Sequence, residues 1–195
     1  AGPGDTGLIT MKGIEALKEA DVVVYDHLAS ASLLNETKDA AEWIDAGKFA
    51  GNHRMKQSEI EQRLIEKAMA GHVVARLKGG DPFIFGRGGE EALALTAAGI
   101  DYEVIPGVSS VYSAPAYAGI PITHRGKASS FHVITGHEDP TKENSSLDYE
   151  ILAREEGTLV FLMGLSKLHQ ISERLIANGK DAHTPAAVIA SGTTA

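Results

Sequence analysis

A glycine-dense segment carrying charges of both signs occupies residues 76–89 of the 195-residue chain. Its five glycines lack a Cβ atom, so backbone amides and carbonyls there can approach a ligand closely. Pro82 restricts the preceding Asp81 to an extended backbone, which would point the Asp81 carboxylate in a fixed direction. The apolar run Phe83-Ile84-Phe85 needs a wall to pack against, which a solvated linker does not provide. The segment therefore predicts a ligand-binding loop.

A second candidate for chemistry is Asp26, which directly follows the apolar run Val22-Val23-Val24-Tyr25. Ligand crevices of parallel sheets form at the carboxyl ends of the strands. A carboxylate at such an edge can stabilise positive charge on a ligand and then accept a proton. The spacing alone also allows a helix N-cap or a solvated loop carboxylate at this position.

The elements that must position these residues alternate between apolar runs of strand length and segments of helical periodicity. This alternation favours an α/β architecture with a mostly parallel sheet. Pro106-Gly107 interrupts the pattern, so we predict an N-terminal α/β domain over residues 1–107 and a C-terminal α/β domain over residues 108–195. The predicted strands cover residues 22–24, 73–77, 102–105, 131–135, 159–162 and 186–189. The predicted helices cover residues 10–20, 90–98 and 167–177. A further helix is predicted between a capping box at Ser58 and Glu61 and its end at Gly71.

The composition describes a globular chain with 43% hydrophobic residues, no cysteine and a net charge of −8. Nonspecific nucleic-acid binding needs a basic face, so this charge argues against it. The lack of cysteine excludes disulfides and suits a cytoplasmic protein, and no apolar run approaches the length of a membrane span. An anionic ligand would need locally concentrated cations. The candidates are His27, Lys48, Arg54, Arg76, Lys78, Arg87, His124 and Arg125.

The segment Gly2-Pro3-Gly4-Asp5-Thr6-Gly7 matches the dinucleotide pattern G-x-G-x-x-G, with Asp26 placed as a ribose-binding acid would be. Read alone, it suggests a nicotinamide oxidoreductase. Pro3 removes a backbone N–H that should cradle a pyrophosphate, and Asp5 places a carboxylate beside a dianion. Both features argue against a bound pyrophosphate, so we rank the oxidoreductase low.

Several motifs occur in the order in which one family carries them, and together they span nearly the whole chain. The sequence resembles the tetrapyrrole methylases, and in particular the branch that methylates uroporphyrinogen III. The motifs are Gly2-Pro3-Gly4-Asp5, Val22 to Asp26, Gly47-Lys48 with Ala50-Gly51, Gln57 with Glu59-Ile60, residues 76–89, Pro106 to Ser110, Ala116 to Arg125, Thr135-Gly136-His137 and Leu159 to Gly164.

The resemblance implies a fold of two α/β domains with a cleft between them, and a homodimer. It also implies transfer of methyl groups from S-adenosylmethionine to two ring carbons of uroporphyrinogen III, giving precorrin-2 and S-adenosylhomocysteine on the route to sirohaem and cobalamin. The family's proposed base corresponds to Asp26, and its proposed proton donor corresponds to Lys48. The cofactor-binding pattern corresponds to Pro3, Gly79, Gly80, Asp81, Ile84, Ser109, Ser110, Met163 and Gly192, and the expected substrate contacts are His27, Arg87, His124 and Arg125.

Some residues depart from the family pattern. His27 and Phe49 stand where arginine is common, and Gly126-Lys127 replaces a typical Asp-Tyr pair. These changes keep open another tetrapyrrole substrate, such as a later precorrin. The family also continues beyond Gly192, so we expect an incomplete C-terminal domain, and a noncatalytic cofactor-binding module is a further alternative. The histidines show no metal-ligand spacing on one helix face, so we predict no metal site.

Overall fold

The computed structural model describes residues 1–47, 55–137 and 147–194. The chain forms two compact units, one made of Ala1–Ser113 with Thr193 and Thr194, the other of Ala114–Gly192. The predicted domain division after residue 107 stays a prediction. Within the described ranges, no helix combines the length and the apolar character that a membrane crossing requires.

The first unit is built on a three-stranded parallel sheet, in which Val22–Tyr25 (β1) lies between Glu42–Asp45 (β2) and Val74–Leu77 (β3). This sheet confirms the predicted α/β class. Tyr25 at the end of β1 pairs in register with Asp45 of β2 and Leu77 of β3, so all three strands end at one edge. The elements in chain order are α1 (Met11–Glu19), β1 (Val22–Tyr25), β2 (Glu42–Asp45), α2 (Gln57–Met69), β3 (Val74–Leu77) and α3 (Gly88–Ala97), with short 3-10 helices at Thr6–Leu8 and Ala31–Glu36.

The central strand β1 is buried on both faces, because its three valines are at most 1% exposed. Val23 packs with Leu17 of α1 in one apolar cluster, while Val22 and Val24 pack with Leu64 of α2 in another. Helices therefore cover both faces of the sheet, as parallel strands require. This packing leaves the end of the sheet, rather than a face, as the place for a site.

The second unit contains a two-stranded parallel sheet of β4 (Phe131–Thr135) and β5 (Thr158–Leu162), with Val133 opposite Val160. The helices α5 (Tyr149–Arg154) and α6 (Leu168–Ala177) contact each other, and Ile171 of α6 is buried. Helix α4 (Ser110–Tyr117) crosses the division between the units along the chain.

Three local predictions were wrong. Residues 102–105 and 186–189 form no strand in the described structure, because neither segment pairs with a neighbouring strand. The N-cap of α2 is Lys56 rather than Ser58, and the predicted capping box of Ser58 and Glu61 is replaced by a single hydrogen bond, which the Glu59 carboxylate accepts from the Lys56 amide at 2.7 Å. The helix therefore begins at Gln57, two residues earlier than an N-cap at Ser58 predicts.

Asp21 joins the beginnings of β1 and β3 outside the site. Its carboxylate pairs with the Lys38 ammonium at 2.8 Å and accepts a hydrogen bond from the Val73 amide at 2.9 Å. The Lys38 hydrogen bond, followed by that of Val73, lowers the pKa of Asp21 below its usual value. A carboxyl with a lowered pKa stabilises the fold fully above about pH 4 and loses that contribution as the pH falls further.

Asp21→Asn is therefore expected to lower the melting temperature at pH 7, with a difference from the parent protein that shrinks steadily toward about pH 2. Thermal unfolding followed by circular dichroism across this range measures the effect. A difference of constant size at every pH would show that the Asp21 charge contributes nothing.

Candidate functional site

The carboxyl edge of the first sheet gathers most of the predicted chemistry. Asp26 and His27 follow β1, Gly47 follows β2, and the glycine loop that begins at Gly79 follows β3. Because the three strands end in register, these residues lie along one edge. Lys48, the predicted proton donor, falls outside the described residues.

Asp26 is held at this edge by two contacts. One carboxylate oxygen lies 3.0 Å from a terminal nitrogen of Arg76, and the other accepts a hydrogen bond from the Leu28 amide at 3.1 Å. The Asp26 side chain keeps 23% of its surface exposed, against 12% for Arg76. The carboxylate is thus oriented from within the protein and still accessible to a ligand.

A buried carboxylate that the sequence did not single out, Glu91 of α3, organises the cations around Asp26. Its side chain is 6% exposed and lies 3.1 Å from Arg76 Nε and 3.0 Å from Lys78 Nζ. Gln57 of α2 donates to the same carboxylate at 3.3 Å. Burial lowers the pKa of Lys78, and the neighbouring Arg76 charge acts in the same direction while Glu91 opposes it.

This network corrects one prediction. Arg76 and Lys78 were candidates for displaying positive charge to an anionic ligand, but their cationic groups are paired internally with Asp26 and Glu91. The reason is geometric, because both side chains lie within the protein at a sheet edge covered by α3. Glu91 was recognisable only as a charged residue at the start of a predicted helix.

His27 lies beside the sheet edge and is about half exposed. Its Nε2 atom is 2.8 Å from a carboxylate oxygen of Asp45, whose other oxygen accepts a hydrogen bond from the Gly47 amide at 2.7 Å. A Cβ atom on Gly47 would lie 2.5 Å from the His27 ring. The glycine at this position therefore gives the imidazole its room.

The glycine loop lies close to neighbouring backbone at Gly79 and at Gly80. A Cβ atom on Gly79 would lie 2.7 Å from the Leu28 carbonyl oxygen, and one on Gly107 would lie 2.2 Å from the carbonyl oxygen of Gly80. Gly80 itself has φ +63° with open space at its Cβ position. Within the protein, a substituent on Gly80 is thus opposed by the backbone conformation and not by a neighbouring atom.

Asp81 ties this loop to the segment around Gly107. One carboxylate oxygen accepts a hydrogen bond from the Phe83 amide at 2.9 Å, and the other accepts one from the Gly107 amide at 3.0 Å. The run Phe83-Ile84-Phe85 is 42–57% exposed. The prediction that these side chains pack against a wall is therefore wrong within the described residues. The loop presents an apolar surface to solvent and is held by polar contacts.

The remaining predicted cofactor residues of the first unit lie on neighbouring segments. Pro3 is partly buried and follows Gly2, whose carbonyl accepts a hydrogen bond from the Gly80 amide at 2.7 Å. Ser109 is 4% exposed and caps the start of α4, its hydroxyl accepting a hydrogen bond from the Val111 amide at 3.3 Å. Ser110 is the first residue of α4.

Arg87 stands at the start of α3 with φ +58°, and its guanidinium pairs with Glu90 of the next turn. Its side chain is 56% exposed, so it remains reachable by a ligand. Arg87 is thus a predicted ligand residue whose positive charge is exposed at the end of the glycine loop.

The other predicted site residues belong to the second unit. Met163 follows β5, has φ +58° and is 55% exposed. Gly192 packs closely on Ala114, because a Cβ atom added to Gly192 would lie 2.5 Å from the Ala114 Cβ atom. His124 and Arg125 lie in an exposed turn, in which His124 Nδ1 is 2.8 Å from the Arg125 carbonyl oxygen. Their sharing of one site with the first unit stays a prediction.

The dinucleotide pattern at the start of the chain has a different structure from the one that binds pyrophosphate. Residues Thr6–Leu8 form a single 3-10 turn, and the Asp5 carboxylate accepts a hydrogen bond from the Gly7 amide at 2.8 Å. The amide that a phosphate would need is thus engaged by a carboxylate. Over the ranges that the structure covers, no group of three histidine or acidic side chains converges as a metal site would.

Comparisons with known proteins agree with this geometry. The sequence matches the family described as Tetrapyrrole (Corrin/Porphyrin) Methylases over residues 1–195. It is 51% identical to the S-adenosyl-L-methionine-dependent uroporphyrinogen III methyltransferase of Methanosarcina barkeri, covering 100% of this chain and 76% of that protein. It is 52% identical to siroheme synthase 1 of Pectobacterium atrosepticum, covering 99% of this chain and only 40% of that protein. The solved uroporphyrin-III C-methyl transferase of Thermus thermophilus, complexed with S-adenyl homocysteine, is similar with a TM-score of 0.74 at 39% identity, over 92% of this chain and 74% of that one.

Proposed function

Because the chain belongs to the tetrapyrrole methylases, we propose that it catalyses two successive methylations of uroporphyrinogen III to precorrin-2, with S-adenosylmethionine as donor. The observation that carries this proposal is the 51% identity, over all 195 residues, to a relative named for that reaction. Precorrin-2 leads to both sirohaem and cobalamin, and the relatives named siroheme synthase support the first route.

The glycine loop fits the donor. When bound, S-adenosylmethionine supplies an electrophilic methyl group on a sulfonium. The open space at Gly80 can admit a ligand, and the nearby Asp81 carboxylate suits a cation better than a pyrophosphate. The proposed binding residues are Pro3, Gly79, Gly80, Asp81, Ile84, Ser109 and Ser110 of the first unit and Met163 and Gly192 of the second.

Asp26 is the proposed catalytic carboxylate. Methylation of a pyrrole carbon leaves positive charge on the macrocycle and one proton to be lost. A carboxylate at the sheet edge stabilises that charge and then accepts the proton. The 23% exposure of Asp26 and its anchoring by Arg76 support this role, because the group is both reachable and oriented. Lys48 is the proposed proton donor.

The substrate carries eight carboxylic side chains, so its binding calls for cations at the edge of the site. We assign this to His27, Arg87, His124 and Arg125, of which Arg87 is exposed beside the glycine loop. A cytoplasmic location is proposed from the composition, and a homodimer from the family resemblance alone.

A second candidate is methylation of a later precorrin. The observations that favour it are His27, Phe49 and Lys127 at positions where the family usually carries other residues. Two fewer guanidinium groups would weaken carboxylate binding and can change which tetrapyrrole is preferred.

Incubation with methyl-labelled S-adenosylmethionine and uroporphyrinogen III, followed by mass analysis of the tetrapyrrole, tests the proposal. The expected product carries two labelled methyl groups, and a reaction without acceptor is the control. A parallel reaction with a later precorrin as the acceptor separates the two candidates. Label found only in that parallel reaction would favour the second candidate, and no labelled tetrapyrrole in either reaction would contradict both.

A further inference from the structure

The charged network that contacts Asp26 consists of three largely buried side chains. Arg76, Lys78 and Glu91 all have side chains no more than 12% exposed. Removing charges from water is costly, and well-packed apolar residues commonly stabilise a core at least as well as a buried ion pair does. The network therefore calls for an explanation other than stability.

Arg76 is fixed at all three of its guanidinium nitrogens. Nε donates to Glu91 at 3.1 Å, one terminal nitrogen donates to the Val24 and Leu77 carbonyls at 3.3 and 2.9 Å, and the other donates to Asp26 at 3.0 Å. A planar group held by so many partners has one orientation. The Asp26 carboxylate therefore meets a donor whose position is set from the interior.

Glu91 is in turn fixed by two donors besides Arg76. Lys78 Nζ lies 3.0 and 3.1 Å from its two oxygens, and Gln57 contributes a third donor at 3.3 Å. Glu91 also lies in the first turn of α3, where the helix dipole favours a carboxylate. The same helix begins directly after the glycine loop, so one rigid element follows the loop and anchors Arg76.

We propose that Glu91 is a positioning residue that orients the Asp26 carboxylate through Arg76. The proposal rests on the proposed function, because it gives Glu91 no contact with substrate and acts only through Asp26. It predicts that loss of Glu91 slows methyl transfer and leaves donor binding intact.

The test is a double-mutant cycle with Glu91→Gln and Asp26→Asn. Glu91→Gln is expected to lower kcat by up to about 100-fold, the cost of a misplaced catalytic group, with the KM for S-adenosylmethionine and its calorimetric Kd unchanged. In the Asp26→Asn background, Glu91→Gln is expected to cause no further loss. Two losses that multiply, or a raised KM with unchanged kcat, would overturn the proposal.

Further variants separate positioning from general destabilisation. Glu66→Gln removes an exposed carboxylate of α2 that pairs with Arg63 at 3.0 Å, and it should leave kcat unchanged. If Glu91→Gln fails to fold, Arg76→Lys replaces it, because lysine keeps the positive charge but lacks the planar, forked set of donors of the guanidinium. Arg76→Lys should show the same loss of kcat and the same non-additivity with Asp26→Asn.

A structural readout makes the inference testable even if the wild-type protein methylates no tetrapyrrole, which would refute the proposed function separately. In a crystal structure of Glu91→Gln, or of Arg76→Lys if that variant replaces it, the Asp26 carboxylate is expected to rotate away from its wild-type orientation. An unchanged Asp26 orientation would overturn the inference.

Discussion

Gly107→Ala is expected to lose most of its affinity for S-adenosylmethionine while the sheet of the first unit stays folded. The added Cβ atom would lie 2.2 Å from the Gly80 carbonyl oxygen, which is part of the proposed donor-binding loop. One of the two backbones must move, and the Asp81 hydrogen bond to the Gly107 amide would be strained with it. Overpacking of about 1–3 kcal/mol corresponds to a Kd about 5-fold to 150-fold higher. Isothermal titration calorimetry with S-adenosylmethionine measures it.

The matched control is Gly89→Ala, a glycine of α3 close to the same loop. Its Cβ position has open space, and alanine is the better helix former by up to about 1 kcal/mol. This variant should bind the donor as the parent protein does and unfold at the same or a slightly higher temperature. Equal donor affinity in both variants would mean that the close approach of Gly107 to Gly80 has no part in binding.

Asp26→Asn is expected to lower kcat for methyl transfer by about 100-fold or more, because the amide neither stabilises positive charge as a carboxylate does nor accepts the proton. Donor binding should persist, since the proposed donor contacts lie on other segments. Single-turnover transfer from labelled S-adenosylmethionine, with calorimetry alongside, separates the two quantities.

Asp21→Asn serves as the control, because Asp21 lies at the other end of the same strand and pairs with Lys38. Its kcat should equal that of the parent protein at a temperature where both are folded. Turnover by Asp26→Asn at the parent rate would remove Asp26 from the mechanism and would leave the assignment of the reaction itself intact.

The positions of the main elements were predictable because local signals agree with the packing. The β-branched run at residues 22–24 forms the buried centre of the sheet, and Thr10 caps α1 by accepting a hydrogen bond from the Gly13 amide at 3.1 Å. Asp26 was found for the same reason, since it follows that strand directly. The strand β2 was missed, because Glu42-Trp43-Ile44-Asp45 is short, has an acidic residue at each end and forms a strand by pairing with β1.

The partners of the charged residues were not predictable. Arg76 reaches Asp26 only because β3 pairs in parallel with β1, and it reaches Glu91 only because α3 packs over the same edge. Sequence reasoning assigned both Arg76 and Lys78 to a ligand, since periodicity carries no information on which distant carboxylate a cation will meet. The two-sided role of Asp81 was hidden for the same reason, because Gly107 is 26 residues away.

The strand order of the first unit has a consequence for how the chain folds. The central strand β1 comes first, and its two neighbours follow later in the chain without any hairpin to join them. Val22 of β1 cannot pair with Val74 of β3 until Val74 has been synthesised. A nascent chain on the ribosome therefore carries β1 with unpaired backbone groups along one side until some fifty further residues have emerged. During that interval β1 is open to aggregation and to a chaperone that binds extended apolar peptide.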